Sequence, residues 1–276
     1  MTSTEPAPSL QPELGTVQET LLTPLLGRAD QFHRADAIVR DAKADEMVRA
    51  MDYDFEPMRQ YPDTLVGCAI RAAIFDRWMQ EFLRSNDDVA VTLIGEGLDT
   101  TTDRNDDGKA HFFELDFPDV IELRRHFFEP TERRTLIAGS VFDTDWIEQV
   151  KSSGRKQFLF QLAGVTMYLE PEQNRQLLTL LADNFPGCTL LFDNCSSFAL
   201  FMSSRWEGTV NTTKATYKWG IADSRKVNQW DDRFVVTNVE YMMNHHRHQW
   251  SKLARFWSSF FMPLRHGYQV NRAILG

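Results

Sequence analysis

Val89-Ala90-Val91-Thr92-Leu93-Ile94 breaks into Gly95-Glu96-Gly97-Leu98-Asp99-Thr100, and a second apolar run ends in Glu114-Leu115-Asp116. A strand, a glycine turn and a second strand closed by an acid read as the opening of a nucleotide-binding α/β unit. The glycines let a ligand approach the backbone where a Cβ would otherwise stand. A carboxylate about 20 residues further on can accept hydrogen bonds from both ribose hydroxyls. The ligand expected there carries adenosine. The same residues also read as a tight turn after a buried strand, so other residues must decide.

The glycine pattern discriminates between adenosine ligands. A dinucleotide fingerprint requires Gly-x-Gly-x-x-Gly, whose last glycine packs the helix on the sheet while the helix N-terminus meets a pyrophosphate. Thr100 stands at that position, and Glu96 and Asp99 put negative charge in the turn. Anions repel a pyrophosphate and tolerate a cation. S-adenosylmethionine, with a sulfonium, an ammonium and no phosphate, suits this turn.

The remaining composition bounds the answer. At 276 residues, 42% hydrophobic and 25% charged, the chain can bury a full core, and one large α/β domain fits better than two small ones. A net charge of −9 argues against a nucleic-acid partner, because phosphate neutralisation needs clustered Lys and Arg. Cys68, Cys188 and Cys195 are odd in number, show no metal-ligand spacing and read as reduced core thiols. No apolar run approaches the roughly 20 residues that span a bilayer, and no basic start precedes an apolar stretch. The expectation is an acidic, soluble, cytoplasmic enzyme without a membrane partner.

Along the chain, residues 1–13 are polar and proline-rich and read as a disordered tail. Residues 14–276 read as a single domain, with a helical cover over 14–85 and an α/β core over 86–276. Within the cover, Val66, Ala69, Ile70, Ala73, Ile74, Phe82 and Leu83 recur at helical spacing and make 66–83 an amphipathic helix. Arg71 sits beside that face. It either snorkels to water or presents its guanidinium at a pocket edge, where it suits a bidentate contact with a free carboxylate.

From residue 89 to about 195, strands alternate with helices, the sign of a parallel sheet. Strands are expected at 89–94, 110–115, 135–138, 157–163 and 188–192. Phe117-Pro118 and Glu170-Pro171 each start a helix, and Pro186-Gly187 stops the second. Beyond Asn194 the pattern loosens, and residues 196–230 read as a lid inserted after the fifth strand. Closing strands follow at 234–241 and 268–275, with a helical stretch near 249–261 between them. Phe198, Phe201, Trp206, Tyr217 and Trp219 crowd the inserted segment. Trp206, Tyr217 and Trp219 are its substrate-binding candidates, because aromatic walls suit a flat hydrophobic molecule. Packing of the lid on the sheet is the competing reading.

Ile94-Gly95-Glu96-Gly97-Leu98-Asp99-Thr100, Phe113-Glu114-Leu115-Asp116-Phe117-Pro118, Ala163-Gly164-Val165-Thr166-Met167-Tyr168-Leu169 and Phe185-Pro186-Gly187 followed by Leu191-Phe192-Asp193 occur in that order. In order and spacing the chain resembles the leucine carboxyl methyltransferase family, in its bacterial small-molecule branch of polyketide O-methyltransferases. The resemblance runs from Ala37 to the C-terminus. It implies a class I S-adenosylmethionine-dependent methyltransferase with a Rossmann-like, seven-stranded sheet whose last strand is antiparallel, under an N-terminal helical cover.

Carried over by position, the resemblance implies that Arg71 binds the cofactor carboxylate and that Gly95 and Gly97 line its methionine moiety. Asp116 would hold the ribose, the alternative being a cap on the helix that Phe117-Pro118 begins. Ser140 and Val141 would contact adenine, although Ser140 departs from the acidic residue common there. Ala163 stands where many relatives carry a glutamate, which removes one acceptor for the cofactor's ammonium. Tyr168 would orient the accepting oxygen near the methyl group, its alternative being a strand-end aromatic packed on the core.

Methyl transfer is an in-line displacement at carbon, so the protein contributes alignment and exclusion of water. A carboxylate acceptor needs no base; a phenol, with a reference pKa near about 10, benefits from one. Candidate bases are His245, His246 and His248, with His33 in the cover. Adjacent histidines cannot share a helical face and no further ligand follows at metal spacing, so no metal is expected. The product would be S-adenosylhomocysteine. The competing readings are methylation of a protein C-terminal carboxyl, a cofactor-binding scaffold without turnover, and, remotely, a nicotinamide oxidoreductase.

Overall fold

The computed structural model describes residues 18–206 and 217–276, with side chains at 20–202 and 217–276. The disordered tail expected at 1–13 lies outside the described residues. The sheet has seven strands in the order β3-β2-β1-β4-β5-β7-β6. They are β1 (Val89–Ile94), β2 (His111–Asp116), β3 (Arg134–Ala138), β4 (Gln157–Leu162), β5 (Cys188–Cys195), β6 (Phe234–Tyr241) and β7 (Tyr268–Leu275). The first five run parallel, and β7 lies antiparallel between β5 and β6. This is the sheet that the sequence resemblance implies. All six residues of β1 are buried, as befits a central parallel strand covered on both faces.

Register sets the site. Ile94 pairs with Leu115 of β2 and Leu162 of β4, and Leu162 pairs with Phe192 of β5. The carboxyl ends of these strands are therefore level, so Gly95, Asp116, Ala163 and Asp193 emerge along one edge. Chain order reverses between β1 and β4, and open α/β sheets bind ligands in the crevice at that reversal.

Helices cover both faces. The cover consists of α1 (Leu22–Phe32), α2 (Ala42–Ala50), the single turn α3 (Glu56–Arg59) and the long α4 (Pro62–Ser85). Ile70, Ile74, Trp78 and Met79 of α4 pack with Val91, Leu93, Leu159 and Leu191 of the sheet. On the other face, α7 (Asp145–Ser152) and α8 (Pro171–Asn184) contribute Trp146, Ile147, Leu177 and Leu181 to a cluster with Phe160 and Phe192. Between them in the chain lie α5 (Thr101–Asn105) and α6 (Pro118–Arg125); α9 (Ser197–Trp206), α10 (Lys252–Phe260) and α11 (Met262–Arg265) follow β5. No described helix is long and apolar enough to cross a membrane.

The cover is not helical throughout, as the sequence reading had it. Asp41 interrupts it by capping α2, its carboxylate accepting from the Ala44 amide at 2.9 Å. Pro62 opens α4 with Tyr61 outside helical geometry. β5 also runs three residues past the expected end at Phe192. Asp193, Asn194 and Cys195 stay in the ladder because β7 pairs with each of them, down to Tyr268 opposite Cys195. Their polarity is absorbed by partners: Asn194 Oδ1 accepts from Asn271 at 2.7 Å and from Ser224 at 2.8 Å. The three cysteines are free thiols, and burial pushes Cys188 up to about 12.

A buried ion cluster fastens the cover to the glycine turn. Arg28 of α1 donates to Asp41 at 3.0 Å, to Asp99 at 2.9 Å and to the Leu98 carbonyl at 3.0 Å. Arg104 joins Asp99 at 2.9 Å, Asp41 at 3.1 Å and Asp76 at 2.7 Å. The Arg28 and Asp41 side chains are each 1% exposed, so removing either would leave a buried charge short of a partner.

Candidate active site

A cavity of about 770 Å³ opens at the carboxyl edge of the sheet. Its floor is Gly95 after β1, Ala163 and Gly164 after β4, and Asp193 of β5; α4 contributes Gly67, Cys68 and Arg71. Thr20 and Leu21 before α1, with Thr23 and Pro24 in its first turn, close one side. The outer wall is apolar, formed by Phe198 and Met202 of α9 with Trp250, Leu253, Trp257 and Phe261.

Arg71 and Asp193 form the charged part of the floor. Nη1 of Arg71 lies 3.0 Å from Asp193 Oδ2, with side chains 12% and 3% exposed. Burial, the largest influence, acts to lower the Arg71 pKa, but Asp193 together with Cys68 and Asp99 outweighs it and holds the guanidinium above its ordinary value. Asp193 Oδ1 accepts from the Gly164 amide at 2.6 Å. Gly164 has φ +75°, and a Cβ there would stand 2.7 Å from Arg71 Nη1. The glycine, two residues past β4, thus leaves the guanidinium space that a Cβ would take.

The sequence candidates divide into two groups. Arg71, Gly95, Ala163, Tyr168 and Tyr217 all line the cavity, and the Tyr168 and Tyr217 rings meet edge-on at 5.3 Å. The amides of Lys218 and Trp219 both donate to Met167 O, at 2.7 and 3.2 Å, which holds this segment against the turn carrying Tyr168. Gly97, Asp116, Ser140 and Val141 lie along the same edge toward β3 and do not line the cavity. Asp116 Oδ2 accepts from the Gly97 amide at 2.7 Å and Oδ1 from the Phe117 amide at 2.7 Å. Burial raises its pKa while both amides oppose the shift. Each oxygen keeps a lone pair that a ribose hydroxyl can use. Leu21 Cδ2 sits 2.5 Å from where a Gly97 Cβ would be, so the cover lies directly on the glycine turn.

The remaining candidates stand away from the cavity or outside the described residues. Trp219 belongs to the core, with its ring 5.7 Å from that of Trp230, rather than to the cavity wall. Trp206 ends α9, and its side chain lies outside the described residues. The candidate bases are elsewhere: His245 pairs with Glu240 at 3.0 Å, His248 with Asp36 at 3.4 Å and His33 with Asp45 at 2.9 Å. Among the described residues no histidine lines the cavity. Asp99 of the turn faces Arg28 and Arg104, which overcome the effect of burial and hold its carboxyl below the usual range. The sequence reading gave Asp193 no role, although it shares with Asp116 the signature of an acid at the end of an apolar strand.

The sequence profile of the leucine carboxyl methyltransferase family matches residues 22–182, more than half of the chain. The chain belongs to the leucine carboxyl methyltransferase family. S-adenosylmethionine is accordingly its methyl donor and methyl transfer its reaction. The tetracenomycin polyketide synthesis O-methyltransferase TcmP of Streptomyces glaucescens is 29% identical over 212 residues, which cover 76% of this chain and 77% of that one. A crystal structure from Thermobifida fusca YX, assigned as a methyltransferase, superposes with a TM-score of 0.58 at 14% identity, covering 93% and 94% of the two chains. That likeness concerns the fold, which is the class I methyltransferase fold.

The residues fit this donor. Arg71 can take a carboxylate, the glycine floor leaves room beside it, and Asp116 keeps accepting capacity at the sheet edge.

Proposed function

We propose that this family member methylates an oxygen of a hydrophobic small molecule, an aromatic or polyketide-type acid or phenol, in the cytoplasm. The observation that carries this reading is the continuity of an aromatic cavity with the Arg71 and Gly95 floor. The Streptomyces glaucescens relative, named for O-methylation in polyketide synthesis, supports it. When bound, S-adenosylmethionine supplies an electrophilic methyl group on a sulfonium. Arg71 binds the carboxylate end, Gly95 and Gly97 admit the methionine chain, and Asp116 accepts from the ribose, with Ser140 and Val141 at the adenine. The backbone and methyl of Ala163 border the methionine end. Tyr168 orients the accepting oxygen, and Tyr217 stacks on the acceptor from the lid side. The acceptor packs against Trp250, Trp257 and Phe198, which exclude water and raise the effective concentration of the aligned pair.

The ionisable groups facing the cavity favour an acceptor that ionises by itself. Its described carboxylates are Asp63 and Asp193. Asp63 already accepts from the amide and hydroxyl of Ser251, both at 2.7 Å, and Asp193 from Arg71 and Gly164. A carboxylic acid or strongly acidic phenol arrives as the nucleophile; an aliphatic alcohol does not. Incubation with methyl-labelled S-adenosylmethionine and a panel of aromatic acids, phenols and alcohols tests this. Label in base-labile esters or aryl ethers is expected; label confined to alcohols or protein contradicts it.

A further inference from the structure

Asp193 is a buried acid on the floor of a cavity whose only other described carboxylate is engaged elsewhere. Its neighbours hold it in a defined pose. β5 is locked by β7 at the Asp193–Val270 pair, Oδ1 accepts from Gly164 and Oδ2 from Arg71. An ionised carboxylate has about four acceptor positions, so these two bonds leave others unused. Ala163, next to it at the edge, has only a methyl group to offer.

A buried ion pair contributes little to stability compared with apolar residues of the same volume. At a cavity wall it does something else: it presents a cation and an anion side by side, 3.0 Å apart. The amino-acid end of S-adenosylmethionine carries the opposite arrangement, a carboxylate and an ammonium on one carbon. We propose that Asp193 binds this ammonium, so that Arg71 and Asp193 together form a zwitterion-binding pair. Arg71 reads the carboxylate and Asp193 the amino group, while Gly164 provides the clearance that brings the two side chains together. This assignment rests on the cavity being the cofactor site, as proposed above.

Calorimetry on the full-length protein separates the two. Wild type and Asp193→Asn are titrated with S-adenosylhomocysteine and with its analogue lacking the amino group. Wild type should favour S-adenosylhomocysteine by about 10- to 100-fold, the range of a charged hydrogen bond. Asp193→Asn should lose that preference, with its affinity for the desamino analogue staying near the wild-type value. Equal affinity of wild type for both ligands overturns the assignment without any variant. A parallel loss of both ligands in a folded Asp193→Asn also overturns it, because Asp193 would then act only by holding Arg71 and Gly164. Failure of wild type to bind either ligand overturns the cofactor site itself, and this assignment with it.

Discussion

Asp99 and Asp116 frame the glycine turn and serve different purposes. Asp99 is surrounded by Arg28 and Arg104 and belongs to the scaffold. Asp116 meets only backbone amides and retains accepting capacity. Sequence alone does not separate them, because Arg28, one of the two partners of Asp99, comes from the cover 71 residues away. The place of Arg71 beside the apolar face of a long helix left it open between water and a pocket edge, and the family resemblance pointed to the pocket, which it lines. Its ion pair with Asp193 was not legible, since 122 residues separate them. Arg71→Met should weaken S-adenosylhomocysteine binding by about 10- to 100-fold in calorimetry; unchanged affinity in a folded variant would remove Arg71 from the site.

Glu96, between the two glycines, gives a pH prediction. It is buried, and its Oε1 has no hydrogen-bond partner among the described residues. Burial first, and Asp99 second, push its carboxyl well above the ordinary 4.5. A group that binds its proton more tightly when folded stabilises the fold below the unfolded value and loses that contribution as pH rises through the folded one. Glu96→Gln should therefore gain stability relative to wild type between pH 4.5 and pH 8 in urea titrations. A constant difference across that range would place Glu96 in contact with water.

At the scale of elements, periodicity located the strands and the long cover helix because their apolar faces are set by local spacing. What it missed depends on tertiary partners. β5 extends through polar residues because β7 supplies both ladder and side-chain bonds. Trp219 lies in a segment rich in aromatic and small residues, and only the packing with Trp230 assigns it to the core. Trp219→Ala should therefore cost about 3–5 kcal/mol in denaturant unfolding. A stable variant with a raised KM for the acceptor would return it to the substrate wall. Arg28 fastens α1 to the turn through Asp41, Asp99 and the Leu98 carbonyl, so Arg28→Met leaves the buried Asp41 and Asp99 carboxylates sharing Arg104 as their remaining ion-pair partner. A loss of about 3–5 kcal/mol is expected, with faster amide exchange in α1 than in the sheet.

For the whole molecule, a class I sheet provides the edge, and the cover and the elements after β5 close a cavity over it. The fold and the class of donor were readable from the ordered motifs, whereas the cavity's chemistry required knowing which acids are already engaged. Because no described histidine faces the cavity, kcat/KM between pH 6 and 9 should follow the ionisation of the acceptor: flat for a carboxylic acid and rising for a phenol. A single protein pKa common to both acceptors would reveal a base. The measurement that bears most directly on the account is titration of the wild-type chain with S-adenosylhomocysteine in a calorimeter, repeated with Arg71→Met. One site per chain, weakened in the variant, is the expected result. Absence of heat with the wild type, or binding indifferent to the variant, would contradict a cofactor held at the Arg71 floor.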